Sequence, residues 1–260
     1  MKLMSSLFSS NRSLADLAVA VVVMLLVWWA ISIAANPILF PSPFLVFHTA
    51  MEMAKSGSLW ADASITTARV IVGYVLGVIG GVAIGILIGR LHCIGRYVEP
   101  LIGFIRTIPP VAIIPLAVIW FGIGETSKYF VVFYGTIFVV VYNVIDGARN
   151  VPITRLLAAR SLGASPLQEF VDIVMPSLVP AIWTGMKTAV GFAFMAVVAA
   201  ELIAARSGIG NLIMQSRTLL ETDRMFVGLA ALATMGGAAD WAFGKVGRRL
   251  LFRYLDYLKH

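Results

Sequence analysis

Six stretches of this chain stay apolar for about twenty residues each, the length a helix needs to cross roughly 30 Å of hydrocarbon. They lie near 14–35, 67–89, 101–121, 128–146, 182–204 and 225–244. Membrane strands would instead alternate polar and apolar residues over about ten positions, and these runs do not alternate. Only 13% of the residues are charged, against about 25% in a soluble domain, so lipid must be the main solvent. The expected fold is therefore an all-α membrane protein, a single domain over 1–260 with six transmembrane helices. The first run is too long for the core of a signal peptide and reads as a retained span.

The net charge of +7 reads as topological rather than as a nucleic-acid surface, because no basic patch is interleaved with polar helices. Lys2, Arg12, Arg90, Arg96, Arg149, Arg155 and Arg160 fall on one side of the expected bundle, with the tail residues Lys245, Arg248, Arg249, Arg253 and Lys259. The other side has Lys55, Lys128, Arg206, Arg217 and Arg224. The richer side is expected to be cytoplasmic, and both termini with it.

Two spans carry further signals. "GYVLGVIGGVAIGILIG" places Gly73, Gly77, Gly81, Gly85 and Gly89 four apart, one stripe on which another backbone can approach closely. The stripe suits ordinary packing within the chain or a surface that slides during a working cycle. In "RTIPPVAIIPLAVIWFG", Pro109, Pro110 and Pro115 each remove a donor. The freed carbonyls need polar surroundings, so this helix is expected to face the bundle interior. It is either broken along a pathway, with Arg106, Pro109 and Pro110 lining it, or merely kinked and packed.

Catalytic signatures are missing. There is no G-x-x-x-x-G-K-[ST] loop to cradle phosphate, no HExxH pair and no G-x-S-x-G elbow. Cys93 is the lone cysteine, and no metal site is expected. Glu201 and Asp240 lie in or beside spans. An intramembrane carboxylate is either functional or paired, and Arg206 and Lys245, each five residues on, are the nearest cations in sequence. Glu201 is accordingly a candidate for the pathway.

Between the fourth and fifth spans, residues 147–181 form a polar island. Pro152 suits a helix start, and Gly163 a left-handed cap. Ser165, Pro166 and Gln168 make a capping box, and Leu167, Phe170, Val171 and Val174 share a helical face. Two short helices joined by a tight turn are expected, the second ended by Pro176 and Pro180.

"AARSLGASPLQEFVDIVMP", residues 158–176, resembles the EAA loop of ATP-binding-cassette importer permeases, with Ala158, Ala159, Gly163, Ile173 and Pro176 at the motif spacing. Leu157 stands where the family has glutamate, and Met175 where it has leucine. "FPSPFLVF", "RTIPPVAIIPLAVIWFGIGETSK", "VVAAELIAARSGIGNLI" and "ETDRMFVGLAAL" are similar to permeases of nitrate, sulfonate and taurine importers. The resemblance implies a six-span permease of the bacterial inner membrane that is not itself an enzyme. It implies a homodimer with two cytoplasmic ATPase subunits, which hold the ATP and magnesium. It further implies a periplasmic or lipid-anchored substrate-binding protein. Ala158, Ala159, Gly163, Ser165, Pro166, Phe170, Ile173 and Pro176 would then form the ATPase-coupling loop. A small organic or inorganic anion is the expected solute; bicarbonate, a thiamine precursor or an aromatic acid are alternatives within the family. An ion-coupled secondary transporter is the alternative outside it.

Overall fold

The computed structural model describes residues 14–36, 38–90 and 92–250; Lys2, Arg12, Arg253 and Lys259, placed above by charge, lie outside them. Helices make up nearly all of it, and no strand occurs among the described residues. Eleven helices are described: α1 (Leu14–Ala34), α2 (Pro43–Ser56), α3 (Ser58–Arg90), α4 (His92–Arg106), α5 (Pro110–Phe121), α6 (Glu125–Arg149), α7 (Ile153–Ser161), α8 (Pro166–Gln168), α9 (Met175–Ala204), α10 (Ile209–Thr218) and α11 (Thr222–Leu250).

Four continuous helices are long and apolar enough to cross a membrane: Ser58–Arg90, Glu125–Arg149, Pro166–Ala204 and Thr222–Arg249. The single span expected over 101–121 is instead two helices, Gly95–Arg106 and Pro110–Phe121, bent by 95°. Counted as one, the pair makes a fifth crossing. In α1, residues Val19–Ala34 form a shorter apolar helix.

The centre of the bundle is a parallel pair. A Cβ added at Gly73, Gly77, Gly81 or Gly85 of α3 would fall 2.5–2.7 Å from Cβ of Val132, Thr136, Val140 or Val144 of α6, and one at Gly89 would fall 2.5 Å from Ala148. The offset is 59 residues throughout, so α3 and α6 run side by side in one direction with backbones in near contact. Parallel neighbours require the intervening chain to travel back the length of the bundle, and α4 with α5 makes that return. Glu99 of α4 pairs with Arg149 at one end of α6, and the Phe121 ring lies 5.1 Å from the Phe130 ring near the other.

Helix α9 runs antiparallel to α6. Gly147 accepts Ala181, Gly185 sits on Asn143, and Gly135 faces Ala196. Val131, Val132, Ala193, Val197 and Ala200 are buried between these helices, with Ile114 and Ala117 of α5. Helix α11 returns along α9, where Gly247 lies against Trp183. Helices α2 and α10 are absent from the expected spans because both are too short to cross. Ser42 caps α2 by accepting from Leu45 N–H, Gly57 ends it at φ +82°, and Val46 and Met53 bury against Val227 of α11. Trp28 of α1 stacks on Phe226 with ring centroids 5.6 Å apart and donates to Pro41 O.

Candidate functional site

The 150–176 segment folds as a hook at the end of the bundle where α3 and α6 finish. Helix α7 begins one residue after Pro152. It closes in a Schellman turn: Ala164 N–H donates to Ala159 O, Gly163 N–H donates to Arg160 O, and Gly163 adopts φ +80°. Ser165 then caps α8 reciprocally, its hydroxyl accepting from Gln168 N–H while its own N–H donates to Gln168 Oε1 at 2.8 Å.

Beyond this point the structure departs from the expected pattern. Pro176 and Pro180 do not end the second helix. A π-helical stretch, Glu169–Val174, leads straight into α9, and Met175 N–H donates to Phe170 O five residues back. The wider turn loosens the backbone just where the Pro176 ring would crowd a carbonyl one turn earlier, so the helix continues through it. The wider turn also splits the expected apolar face. Phe170 turns inward under the Arg90 guanidinium at 4.4 Å, and Val174 is buried, whereas Leu167 and Val171 are exposed.

Two ion contacts fix the hook. Arg160 grips Glu169 through Nε to Oε2 at 2.7 Å and Nη2 to Oε1 at 3.0 Å, fastening α7 to the π-helical stretch. Ala159 is buried beneath, while Ala158, Gly163, Ser165 and Pro166 are exposed and Ile173 and Pro176 half-buried. The outer surface carries Ile153, Leu157, Leu162 and Leu167, with Leu162 88% and Leu167 71% exposed. Leucines this open on a charged, well-capped segment need a covering surface.

The break between α4 and α5 lies beside the middle of α6. Pro109 has no N–H for Ile105 O, which accepts instead from Ile108 N–H at 3.1 Å and from Tyr134 of α6. Its hydroxyl donates to Ile105 O at 2.8 Å and to Ile108 O at 3.3 Å. Pro109 precedes α5 without a side-chain cap, and Pro110 is its first residue. Arg106 ends α4 with its guanidinium 4.1 Å over the Tyr142 ring.

At the opposite end from the hook lies a buried polar node that sequence spacing did not reveal. Arg69 is 1% exposed and uses every donor it has. Nε and Nη2 grip Glu125 at 2.6 Å each, Nη1 reaches Glu201 at 2.8 Å and Ser207 O at 2.7 Å, and Nη2 also meets Ser207 Oγ. Glu201, equally buried, accepts from Thr66 Oγ1 and from Gly210 N–H as well. Thr66 Oγ1 in turn accepts from Ile209 N–H, and Asp62 accepts from Gly208 N–H. Lys128 donates to Ile123 O and Gly124 O beside Glu125. The node ties α3, α6, α9 and the start of α10 together.

The partners expected for the two intramembrane acids are therefore different. Glu201 pairs with Arg69 rather than Arg206, which lies past the end of α9. Asp240 meets Lys187 of α9 at 3.7 Å, while Lys245 sits over the Trp241 ring at 4.9 Å. Among the described residues, no cluster of histidine, cysteine or carboxylate side chains could hold a metal.

Residues 81–252 match the family described as "Binding-protein-dependent transport system inner membrane component". The chain belongs to this family. It is 32% identical over 235 residues to the taurine transport system permease protein TauC of Escherichia coli (strain K12), covering 88% of this chain and 86% of that one. It is also 32% identical over 211 residues to the putative aliphatic sulfonates transport permease protein SsuC of Bacillus subtilis (strain 168), covering 81% and 76%. Among solved structures, its fold is similar to that of the MetNI methionine ABC transporter in inward-facing form, with TM-score 0.60 and 19% identity over 74% of this chain and 94% of that one. The bent pair, the hook and α9–α11 all lie inside the matched region. Helices α1 and α2 and the Arg69 half of α3 precede it.

Proposed function

We propose that this chain is the permease subunit of an ATP-binding-cassette importer, moving a small anion such as a sulfonate, taurine or nitrate into the cytoplasm. Two copies would form the pathway, each crossing six times with α1 and the bent pair included, with both termini cytoplasmic. Two cytoplasmic ATPase subunits would bind the ATP and magnesium, and a binding protein on the far side would deliver the solute. The observation that carries this reading is the hook: a segment too small for a core, held rigid by a Schellman turn, a capping box and the Arg160–Glu169 grip, and tipped with open leucines. That is the build of a part that fits into another protein's groove. Its motif spacing and the permease relatives support an ATPase subunit as that protein. Closure of the ATPase dimer would draw the two hooks together and turn the pathway outward.

Ala158, Ala159, Gly163, Ser165, Pro166, Phe170, Ile173 and Pro176 belong to this coupling element in distinct ways. Gly163, Ser165 and Pro166 set its turn, Ala159 and Phe170 anchor it to the bundle, and Leu162 and Leu167 beside them make the contact. An ion-coupled secondary transporter would need a carboxylate free to bind and release its ion, whereas Glu201 is fully committed to Arg69, Thr66 and Gly210.

The test uses the exposed tip, where substitution leaves the fold intact. Leu162→Asp and Leu167→Asp together should abolish co-purification of a cytoplasmic ATPase subunit and reduce solute-stimulated ATP hydrolysis at least about tenfold. Membrane insertion and thermal midpoint should be unchanged. Normal co-purification and stimulated hydrolysis in the double variant would overturn the reading.

A further inference from the structure

Arg106 is an exposed cation in an unusual place. Tyr142 lies seven residues inside the Arg149 end of α6, so the guanidinium stacked on it sits about 10 Å in along a spanning helix at 1.5 Å per residue. Leu101, Phe104 and Ile105 of α4 and Val111 of α5 are exposed on the same two helices. A guanidinium left among them against acyl chains would be costly. The ion pairs among the described residues do not include it. Arg149 and Arg160, in contrast, each hold a carboxylate in or beside the hook.

The seat beneath it is shaped. Gly103, one turn before Arg106, lies over the Tyr142 hydroxyl, and a Cβ there would come within 3.0 Å of Tyr142 Oη. A Cβ at that distance would push the ring back by a few tenths of an ångström. Cation–π attraction to the ring does not use the N–H groups of the guanidinium fork, which remain available as donors. Such a fork matches two oxygens of a planar or tetrahedral oxyanion. The helix break turns the chain by 95° immediately afterwards, so Arg106 stands at the bend itself.

We infer that Arg106, seated on Tyr142, is an anion-contact residue of the translocation path, where a small singly charged oxyanion exchanges part of its water for the guanidinium fork. The inference rests on the permease reading and adds to it a residue that selects by charge. Arg106 contacts the solute; Tyr142 and Gly103 are positioning residues.

The test needs no knowledge of the solute. Thr107, exposed beside Arg106, is replaced by cysteine in a full chain whose only native cysteine is removed by Cys93→Ser. The assembled transporter in membrane vesicles is labelled with the anionic reagent sulfonatoethyl methanethiosulfonate and with its cationic trimethylammonioethyl counterpart. Both should react with the thiol at position 107. Arg106→Gln should lower the anionic-to-cationic rate ratio about tenfold, because a fixed positive charge is removed from a narrow, partly desolvated space. Arg106→Lys should restore most of it. A ratio unmoved by Arg106→Gln, or a thiol that neither reagent reaches, overturns the inference. The hook variants report separately: if they uncouple the ATPase while labelling fails, this inference alone falls, and if they do not, the permease reading falls with it.

Discussion

Replacing Glu201 by glutamine would leave Arg69 buried with one carboxylate, Glu125, that is itself half exposed. Removing one partner of a buried pair costs about 3–5 kcal/mol, so Glu201→Gln should lower the thermal midpoint of the detergent-purified protein markedly. Asp62→Ala removes only a single cap on Gly208 and should cost about 1 kcal/mol in the same assay. In the hook, Gly163→Ala places a Cβ at φ +80°, which costs about 1–2 kcal/mol although the space around it is open. Solute-stimulated ATP hydrolysis should fall in Gly163→Ala and recover partly in Gly163→Asn, since asparagine tolerates this conformation better. The hook's caps are legible in the sequence because every partner lies within five residues. The Arg69–Glu201 pair is not, because 132 residues separate its members. Counting to the nearest cation misleads on both acids: five residues turn a helix by about 140°, away from the face where Asp240 meets Lys187.

At the level of the helix, one side-chain hydroxyl braces the break at Pro109. Tyr134→Phe leaves Ile108 O without that donor and Ile105 O with the Ile108 N–H alone, at a cost of about 1 kcal/mol. A lower thermal midpoint with unchanged helix content by circular dichroism is the expected result. The α3 stripe is less tolerant. Gly81→Val would drive its side chain into Val140 and the Ile137 carbonyl, and should prevent accumulation of folded protein in the membrane. The double proline made a disturbed helix legible, but local rules give no angle, and 95° is set by what α4 and α5 pack against. The π-helical stretch was hidden for a related reason. A proline normally ends a helix, and nothing in "EFVDIVMP" says that a widened turn will carry the chain past it. Helices α2 and α10 escaped because hydropathy over a span's length cannot register an element of ten to fourteen residues.

For the molecule as a whole, the proposed topology puts the hook and residue 250 on one side and residues 205–208 on the other. An alkaline-phosphatase fusion after Ser207 should be active and a fluorescent-protein fusion after Leu250 should glow; the reverse pattern would invert the orientation. Hydropathy and the arginine count reach this arrangement from the sequence. They do not reveal that α3 and α6 run parallel, because that requires knowing which helices touch. The parallel pair has a mechanical consequence. Its glycine seam interlocks the two helices over five successive turns, so they can rock together but cannot shear past one another. Arg90 touches the hook at one end, and Arg69, twenty-one residues away, is bolted to α9 and α10 at the other. The pair is thus a lever about 30 Å long, and a tilt of about 10° at the hook sweeps the far end through roughly 5 Å.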